Sequence, residues 1–141
     1  MKYAVVYSVG ALSYGGIELL FRGRTHWTML LAGGLCLVLI YIFDSKMHQS
    51  LWKTCIMGGA VITTVEFVAG IIVNMLLGWN VWSYSSMSYN LYGQICPLFT
   101  LFWVGLTLPA VLLCRLMDRT LFSNSKRSEN FAGNKGGGDG K

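Results

Sequence analysis

The chain has 141 residues, of which 54% are hydrophobic and only 12% are charged, and its mean hydropathy is +0.53. A chain of this length is one domain of a few helices, too short for a transporter that carries its own ATP-hydrolysing domain. The net charge of +5 does not indicate a nucleic-acid partner, because the basic residues stand at the ends of apolar segments and in the tail, as in the flanks of membrane helices.

Four apolar segments follow one another, at about residues 3–21, 27–43, 54–77 and 95–114. Each is close to the roughly 20 residues that cross a bilayer. Each should be helical, because lipid offers the backbone no other hydrogen-bond partner. The sequence therefore predicts an all-α protein, an integral membrane four-helix bundle over residues 1–122. The remainder, 123–141, consists largely of Ser, Asn, Gly and Lys and is predicted to be a disordered cytoplasmic tail.

The first segment contains an acid and a base one helical turn apart, Glu18 and Arg22. On a helix the two side chains lie on one face and can form an ion pair, which lowers the cost of both charges in a membrane. We expect a structural ion pair near the end of this helix. The alternative is that Arg22 pairs with Glu66 or with an anionic substrate.

The charges in the loops predict the orientation of the protein in the membrane. Basic residues follow the second and the fourth segments: Lys46, Lys53, Arg115, Arg119, Lys126 and Arg127. The loop 79–94 has no charged residue. Since lysine and arginine favour the cytoplasmic side, we expect both termini in the cytoplasm and loop 79–94 outside. Arg22 and Arg24 then fall outside, against the rule, and one explanation is that an acid such as Glu18 holds them.

A charge-free stretch of 48 positions runs from Phe67 to Cys114, directly after the lone carboxylate Glu66. Acids are expensive at this depth in a membrane and often mark a substrate or ion path. Small and polar residues at spacings of three or four form one stripe of the third helix: Thr63, Glu66, Gly70, Asn74 and Gly78. The stripe predicts either a helix–helix interface or a substrate path lined by Glu66, Thr63, Gly70 and Asn74.

The outer turns are rich in aromatic residues, among them Trp27, Trp79 and Trp82. One interpretation is an aromatic belt at the level of the lipid headgroups. The other is a folded cap, or a re-entrant turn, over a site.

Nothing in the sequence indicates a metal centre, a cofactor or an enzyme. The four cysteines have no metal-binding spacing, and the two histidines, His26 and His48, fall on opposite sides of the predicted membrane. No nucleophile–base arrangement or pair of catalytic acids is present.

The chain resembles the bacterial family of putative ABC-transporter type IV permeases, the CmpB-like proteins. The resemblance covers roughly residues 3–115. It rests on these strings and residues: Tyr7-Ser8 through Tyr14-Gly15, Glu18-Leu19-Leu20, Arg22-Gly23, Thr25-His26-Trp27-Thr28, Thr64-Val65-Glu66, Gly70, Asn74, Leu77-Gly78-Trp79-Asn80-Val81-Trp82, Tyr84-Ser85 and Asn90-Leu91-Tyr92-Gly93-Gln94-Ile95. It implies a permease-like subunit of the bacterial inner membrane.

Two functions follow as expectations. The first is a multi-pass subunit that contributes to a transmembrane path, surrounded by membrane lipid and working as a homo-oligomer or with a separate ATPase subunit. The second is a non-transporting membrane sensor, regulator or assembly factor, which the small size favours.

Overall fold

The computed structural model describes residues 1–124. Of the predicted tail 123–141, residues 123 and 124 are helical, and the part from residue 125 onward lies outside the described residues. Within residues 1–124 the chain forms four long helices, confirming the all-α prediction. They are α1 (Lys2–Arg22), α2 (Trp27–Met47), α3 (Leu51–Gly70, continued by a wider π-helical turn at Ile71–Leu76) and α4 (Pro97–Met117, continued by a π-helical turn at Asp118–Phe122). All four are long and apolar enough to cross a membrane, with mean hydropathies from 1.4 to 2.1.

Local chemistry sets several helix ends. Gly23 ends α1 in a left-handed conformation (φ 68°), and its N–H donates to the Leu19 carbonyl at 3.0 Å. The His26 ring nitrogen caps α2 by accepting from the Thr28 backbone N–H. Pro97 occupies the first turn of α4, where its missing N–H costs nothing.

Two helices extend past the charges at which the apolar segments end. Helix α2 runs through Asp44 to Met47, and α4 runs through Arg115. The two charges pair with each other, Arg115 Nη2 lying 2.7 Å from Asp44 Oδ1. A charge therefore ends the apolar run without ending the helix when a neighbouring helix supplies its partner.

Glycine allows α1 and α2 to pack closely. A Cβ added at Gly10 would lie 2.6 Å from the Leu37 Cβ, and one at Gly33 would lie 2.4 Å from the Tyr14 Cβ. Small residues permit this approach of helix backbones in membrane proteins. The α1–α2 hairpin is thus one tightly packed unit.

Helices α3 and α4 form the second such unit. A Cβ at Gly58 would meet Thr107 Cγ2 at 2.2 Å, and one at Gly59 would meet Val104 Cγ2 at 2.3 Å. The two hairpins meet through a buried cluster to which α2, α3 and α4 contribute, built around Ile40, Ile62, Trp103 and Val111.

The two ends of the bundle differ. At the terminal end, where α1 begins and α4 ends, Lys2 Nζ lies 3.3 Å from Asp118 Oδ1. At the loop end, segments 23–26 and 77–96 lie side by side, and the rings of Trp27 and Trp79 are 5.8 Å apart. Helices α1 and α4 are joined at the terminal end by a shared core, whereas toward the loop end a cleft lies between them.

Candidate membrane path and its cleft

Glu66 is buried in α3, with 6% of its surface exposed. Both carboxylate oxygens accept a hydrogen bond. The Tyr84 hydroxyl donates to Oε1 at 2.7 Å, and the Trp103 indole Nε1 donates to Oε2 at 2.9 Å. No arginine or lysine forms a salt bridge with Glu66 in the described part of the chain. Its partners are therefore neutral donors, one from the loop and one from α4.

Tyr84 lies outside the helices and holds the loop to the bundle. Burial, and then the adjacent Glu66 carboxylate, raises the pKa of the Tyr84 hydroxyl well above its usual value. The hydroxyl consequently remains protonated and acts as a donor at any physiological pH. The Tyr84 ring also stacks near Phe99 of α4, with centroids 4.7 Å apart.

Asn74 is the second polar anchor of the loop. Its side-chain Nδ2 donates to the Trp82 carbonyl at 3.0 Å and to Gln94 Oε1 at 2.9 Å, and its Oδ1 accepts from the Val81 N–H at 2.7 Å. The amide thus binds both ends of the loop. Gly70 lies against the same loop, because a Cβ there would be 2.5 Å from Gln94 Oε1.

Four residues of the predicted stripe therefore face α4 and the loop, whereas Gly78 lies beyond the last helical turn, with φ 66°. Thr63 donates to Thr100 of α4 at 3.3 Å, completing the row with Glu66, Gly70 and Asn74. In an α-helix, steps of four residues drift around the axis. The wider π-helical turn at Ile71–Leu76 counteracts this drift and keeps Asn74 on the side of Glu66. π-Helical turns occur frequently at functional sites.

The structure brings Glu18 and Arg22 together. Arg22 Nη1 donates to Glu18 Oε1 at 3.0 Å, and the Thr25 hydroxyl donates to Oε2 at 3.1 Å. Arg22 Nη2 also donates to the Val81 carbonyl at 3.2 Å, which connects α1 to the loop. Arg22 pairs with Glu18 rather than with Glu66.

The three predicted outer-loop tryptophans occupy different environments. Trp27 and Trp79 are 56% and 47% exposed, as expected of residues at a membrane interface. Trp82 is only 4% exposed, and its indole N–H donates to the Gln94 carbonyl at 3.2 Å. The loop is accordingly a folded segment, with Trp82 as its core.

A cleft of about 590 Å³ lies under this loop, between α1 and α4. Its apolar walls come from Ile17, Phe21, Leu98, Phe99 and Phe102. Its polar lining includes Glu18, Arg22 and Tyr84. The volume falls within the range of ligand-binding pockets. Glu66 lies behind Tyr84 and Trp103, two residues that line the cleft.

Sequence reasoning missed the partners of Glu66. Tyr84 stands in one of the strings that carry the family resemblance, so a signal was present. Trp103 is 37 positions from Glu66 and had no signal beyond being aromatic in an apolar segment. As to metals, no three His, Cys, Asp or Glu side chains within residues 1–124 gather closely enough to hold one.

Four apolar helices, a folded loop at one end and a buried intramembrane carboxylate beside a cleft define a helical membrane protein. A family model described as "Putative ABC-transporter type IV" matches residues 5–133, and the chain belongs to this family. No curated protein and no solved structure matches the chain.

Proposed function

We propose that this protein is the membrane subunit of a bacterial transport system whose ATPase is a separate chain. In this proposal, the α1–α4 cleft is the entrance to the path, and Glu66 is the polar group that a substrate meets beyond it. The family description supports a component of an ABC transporter. The observation that carries the proposal is the hydrogen bond from the loop residue Tyr84 to Glu66, beside the cleft.

The energetic argument concerns the carboxylate. An acid in the centre of a membrane helix costs about 2.5–3.5 kcal/mol on insertion scales. Tyr84 and Trp103 offset part of this cost, yet an apolar residue at this position would avoid it altogether. Glu66 is therefore better explained by a role in binding a substrate or an ion than by packing.

The loop connects this site to the outside. One charge-assisted hydrogen bond contributes about 1.5–3 kcal/mol. A substrate that donates to Glu66 Oε1 replaces the Tyr84 hydroxyl, so entry of the substrate and release of the loop compete for the same oxygen. Substrate binding or ATP hydrolysis by the separate subunit supplies enough free energy to break this hydrogen bond and release the loop.

The ATPase would bind at the terminal end. That end carries the basic residues Lys2, Lys46, Lys53, Arg115 and Arg119, which favours the cytoplasm. The protein would then lie in the bacterial inner membrane, with both termini inside and the loop 77–96 outside. A homo-oligomer with two or more clefts is compatible with this arrangement.

The test is purification of the tagged chain from its native membranes, followed by reconstitution of the complex into liposomes. We expect an ATP-hydrolysing subunit in the complex and ATP-dependent flux of at least one solute from a chemically diverse panel. Glu66→Gln should lower the flux while leaving abundance and the complex intact. Tyr84→Phe is the matched variant, because it removes the hydrogen bond and keeps the carboxylate.

Two results would contradict the proposal. One is a complex without ATPase activity, which would favour a sensor, regulator or assembly factor. The other is full flux in the Glu66→Gln protein, which would remove the carboxylate from the path.

A further inference from the structure

Glu18 and Arg22 both line two cavities of different character, which therefore adjoin each other. On one side is the largely apolar α1–α4 cleft. On the other is a polar cavity of about 180 Å³ at the loop end, which contains two arginines. Its lining consists of Glu18, Arg22, Arg24, Thr25, His26, Trp79, Asn80 and Val81. Together the two cavities form an amphipathic site, apolar along the helices and cationic at the end.

The two arginines of the polar cavity differ in their partners. Arg22 is engaged by Glu18 and by the Val81 carbonyl. Arg24 is exposed, and among residues 1–124 no carboxylate lies within 4.0 Å of it. Since Glu18 is neutralised by Arg22, the cavity retains the positive charge of Arg24.

The cleft opens sideways, toward the acyl chains of the bilayer. Phe21, Leu98 and Phe102 line it and are 74%, 62% and 42% exposed on the surface of the helices. Phe21 of α1 and Phe102 of α4 pack edge to face at this side of the cleft, with ring centroids 6.1 Å apart, so these two rings must move apart to admit a ligand. A ligand that enters from the bilayer therefore meets apolar surface first.

We propose that the two cavities bind one anionic phospholipid of the bilayer. One acyl chain lies in the α1–α4 cleft, and the phosphate lies in the polar cavity on Arg24, next to Arg22. The guanidinium group suits a phosphate, because its planar N–H groups can bind two oxygens together. This inference goes beyond the proposed function, because it assigns a lipid to the entrance cleft and places no contact between that lipid and Glu66.

Charge and shape select this occupant. A zwitterionic phospholipid such as phosphatidylcholine brings a cationic ammonium group beside the two arginines together with its phosphate, and a soluble anion leaves the apolar cleft unfilled. The unfavourable placement of Arg24 opposite the basic terminal end is also explained, because a bound phosphate compensates the charge that the Glu18–Arg22 pair leaves over.

The experiment measures binding alone, with the full chain in phosphatidylcholine vesicles and no ATPase. Bromine atoms on a lipid acyl chain quench tryptophan fluorescence on contact. Trp82 and Trp103 line the cleft, and the exposed Trp27 and Trp52 are replaced by Phe to lower the background. Brominated phosphatidylglycerol at a small fraction of the lipid should quench more strongly than brominated phosphatidylcholine at the same fraction.

Variants locate the headgroup. Arg24→Gln should raise the half-saturating fraction of phosphatidylglycerol by about tenfold, as for the loss of one charged hydrogen-bond pair. Arg24→Lys should preserve part of the selectivity. Lys53→Gln removes one positive charge at the terminal end instead, and it should leave the half-saturating fraction of phosphatidylglycerol unchanged.

Equal quenching by the two lipids would overturn the proposal, as would full selectivity in Arg24→Gln. Displacement by glycerol phosphate, which has the anion without the chains, would show that the site binds a soluble anion instead. Selective binding without any ATP-dependent flux would leave the lipid site standing and reject the transport role. ATP-dependent flux of another solute without selective lipid binding would support the transport role and reject the lipid site.

Discussion

The two intramembrane carboxylates are stabilised by different chemistry. Glu18 accepts from the Arg22 guanidinium, one helical turn away in α1, and from the Thr25 hydroxyl in the following α1–α2 turn. The charge of Glu18 is therefore neutralised by a partner close in sequence. Among residues 1–124, Glu66 accepts only from neutral donors, Tyr84 and Trp103, which come from distant parts of the chain. A local ion pair accounts for Glu18 as a structural residue, whereas the cost of Glu66 requires a further reason.

The structural role of the ion pair can be tested by removing its base. Arg22→Ala leaves the buried Glu18 carboxylate with Thr25 as its remaining partner and removes the bond to the Val81 carbonyl. We expect a loss of about 1–3 kcal/mol and reduced abundance in the membrane. The double variant Glu18→Gln with Arg22→Ala should recover part of the loss, because no charge is then left unpaired. Thermal unfolding in detergent of the single and double variants is the measurement, and absence of recovery would reject the pair as the cause.

At the scale of elements, the close contact between α1 and α2 depends on glycine. Gly33→Ala places a Cβ 2.4 Å from the Tyr14 Cβ, so the helices must separate. Gly16→Ala is the matched control in the partner helix, since a Cβ there meets nothing within 4 Å. We expect Gly33→Ala to lower the unfolding temperature and Gly16→Ala to leave it unchanged or raise it slightly. Similar temperatures for the two variants would contradict the close packing.

The loop 77–96 depends on one side chain of α3. Asn74→Ala leaves the Val81 N–H, the Trp82 carbonyl and Gln94 Oε1 without this partner, at a cost of about 1–3 kcal/mol. Limited proteolysis should therefore cut the loop faster in this variant. Thr64→Ala provides the control, because its hydroxyl bonds only to the Ala60 carbonyl within the same helix. Equal cleavage rates would show that Asn74 does not hold the loop.

The helices could be predicted from the sequence, because each apolar segment is long enough and hydrophobic enough by itself to cross a membrane as a helix. Their ends could not, since the continuation of α2 past Asp44 depends on Arg115 of another helix. The stripe of small and polar residues in α3 predicted a face that contacts another part of the protein, but the sequence did not indicate which residues it contacts. Tyr84 and Trp103 reach Glu66 only through the fold of the loop and the packing of α4, and no local spacing encodes that proximity.

At the scale of the whole molecule, the orientation is a prediction from charge. Cysteines at Ser86 in the loop and at Gln49 in the α2–α3 turn, placed singly in a cysteine-free background, test it in intact cells. An impermeant thiol reagent should label the position 86 variant and spare the position 49 variant, because the loop is expected outside. Labelling at position 49 alone would invert the arrangement.

In the proposed function, the Tyr84–Glu66 hydrogen bond holds the loop 77–96 over the α1–α4 cleft and limits the access of water to it. Ile17, which lines the cleft, is replaced by Cys after the four native cysteines, all buried, are changed to Ala. A thiol reacts with a water-soluble reagent only where water reaches it, so the labelling rate reports opening of the cleft.

The most direct measurement is this labelling rate with and without the Tyr84 hydroxyl. A cysteine at Ser86 serves as the loop control, and one at the lipid-exposed Leu12 should stay unreactive if the bundle is intact. Tyr84→Phe should raise the rate at position 17 by about tenfold or more, in proportion to the lost charge-assisted hydrogen bond. An unchanged rate at position 17, with both controls as expected, would contradict the account.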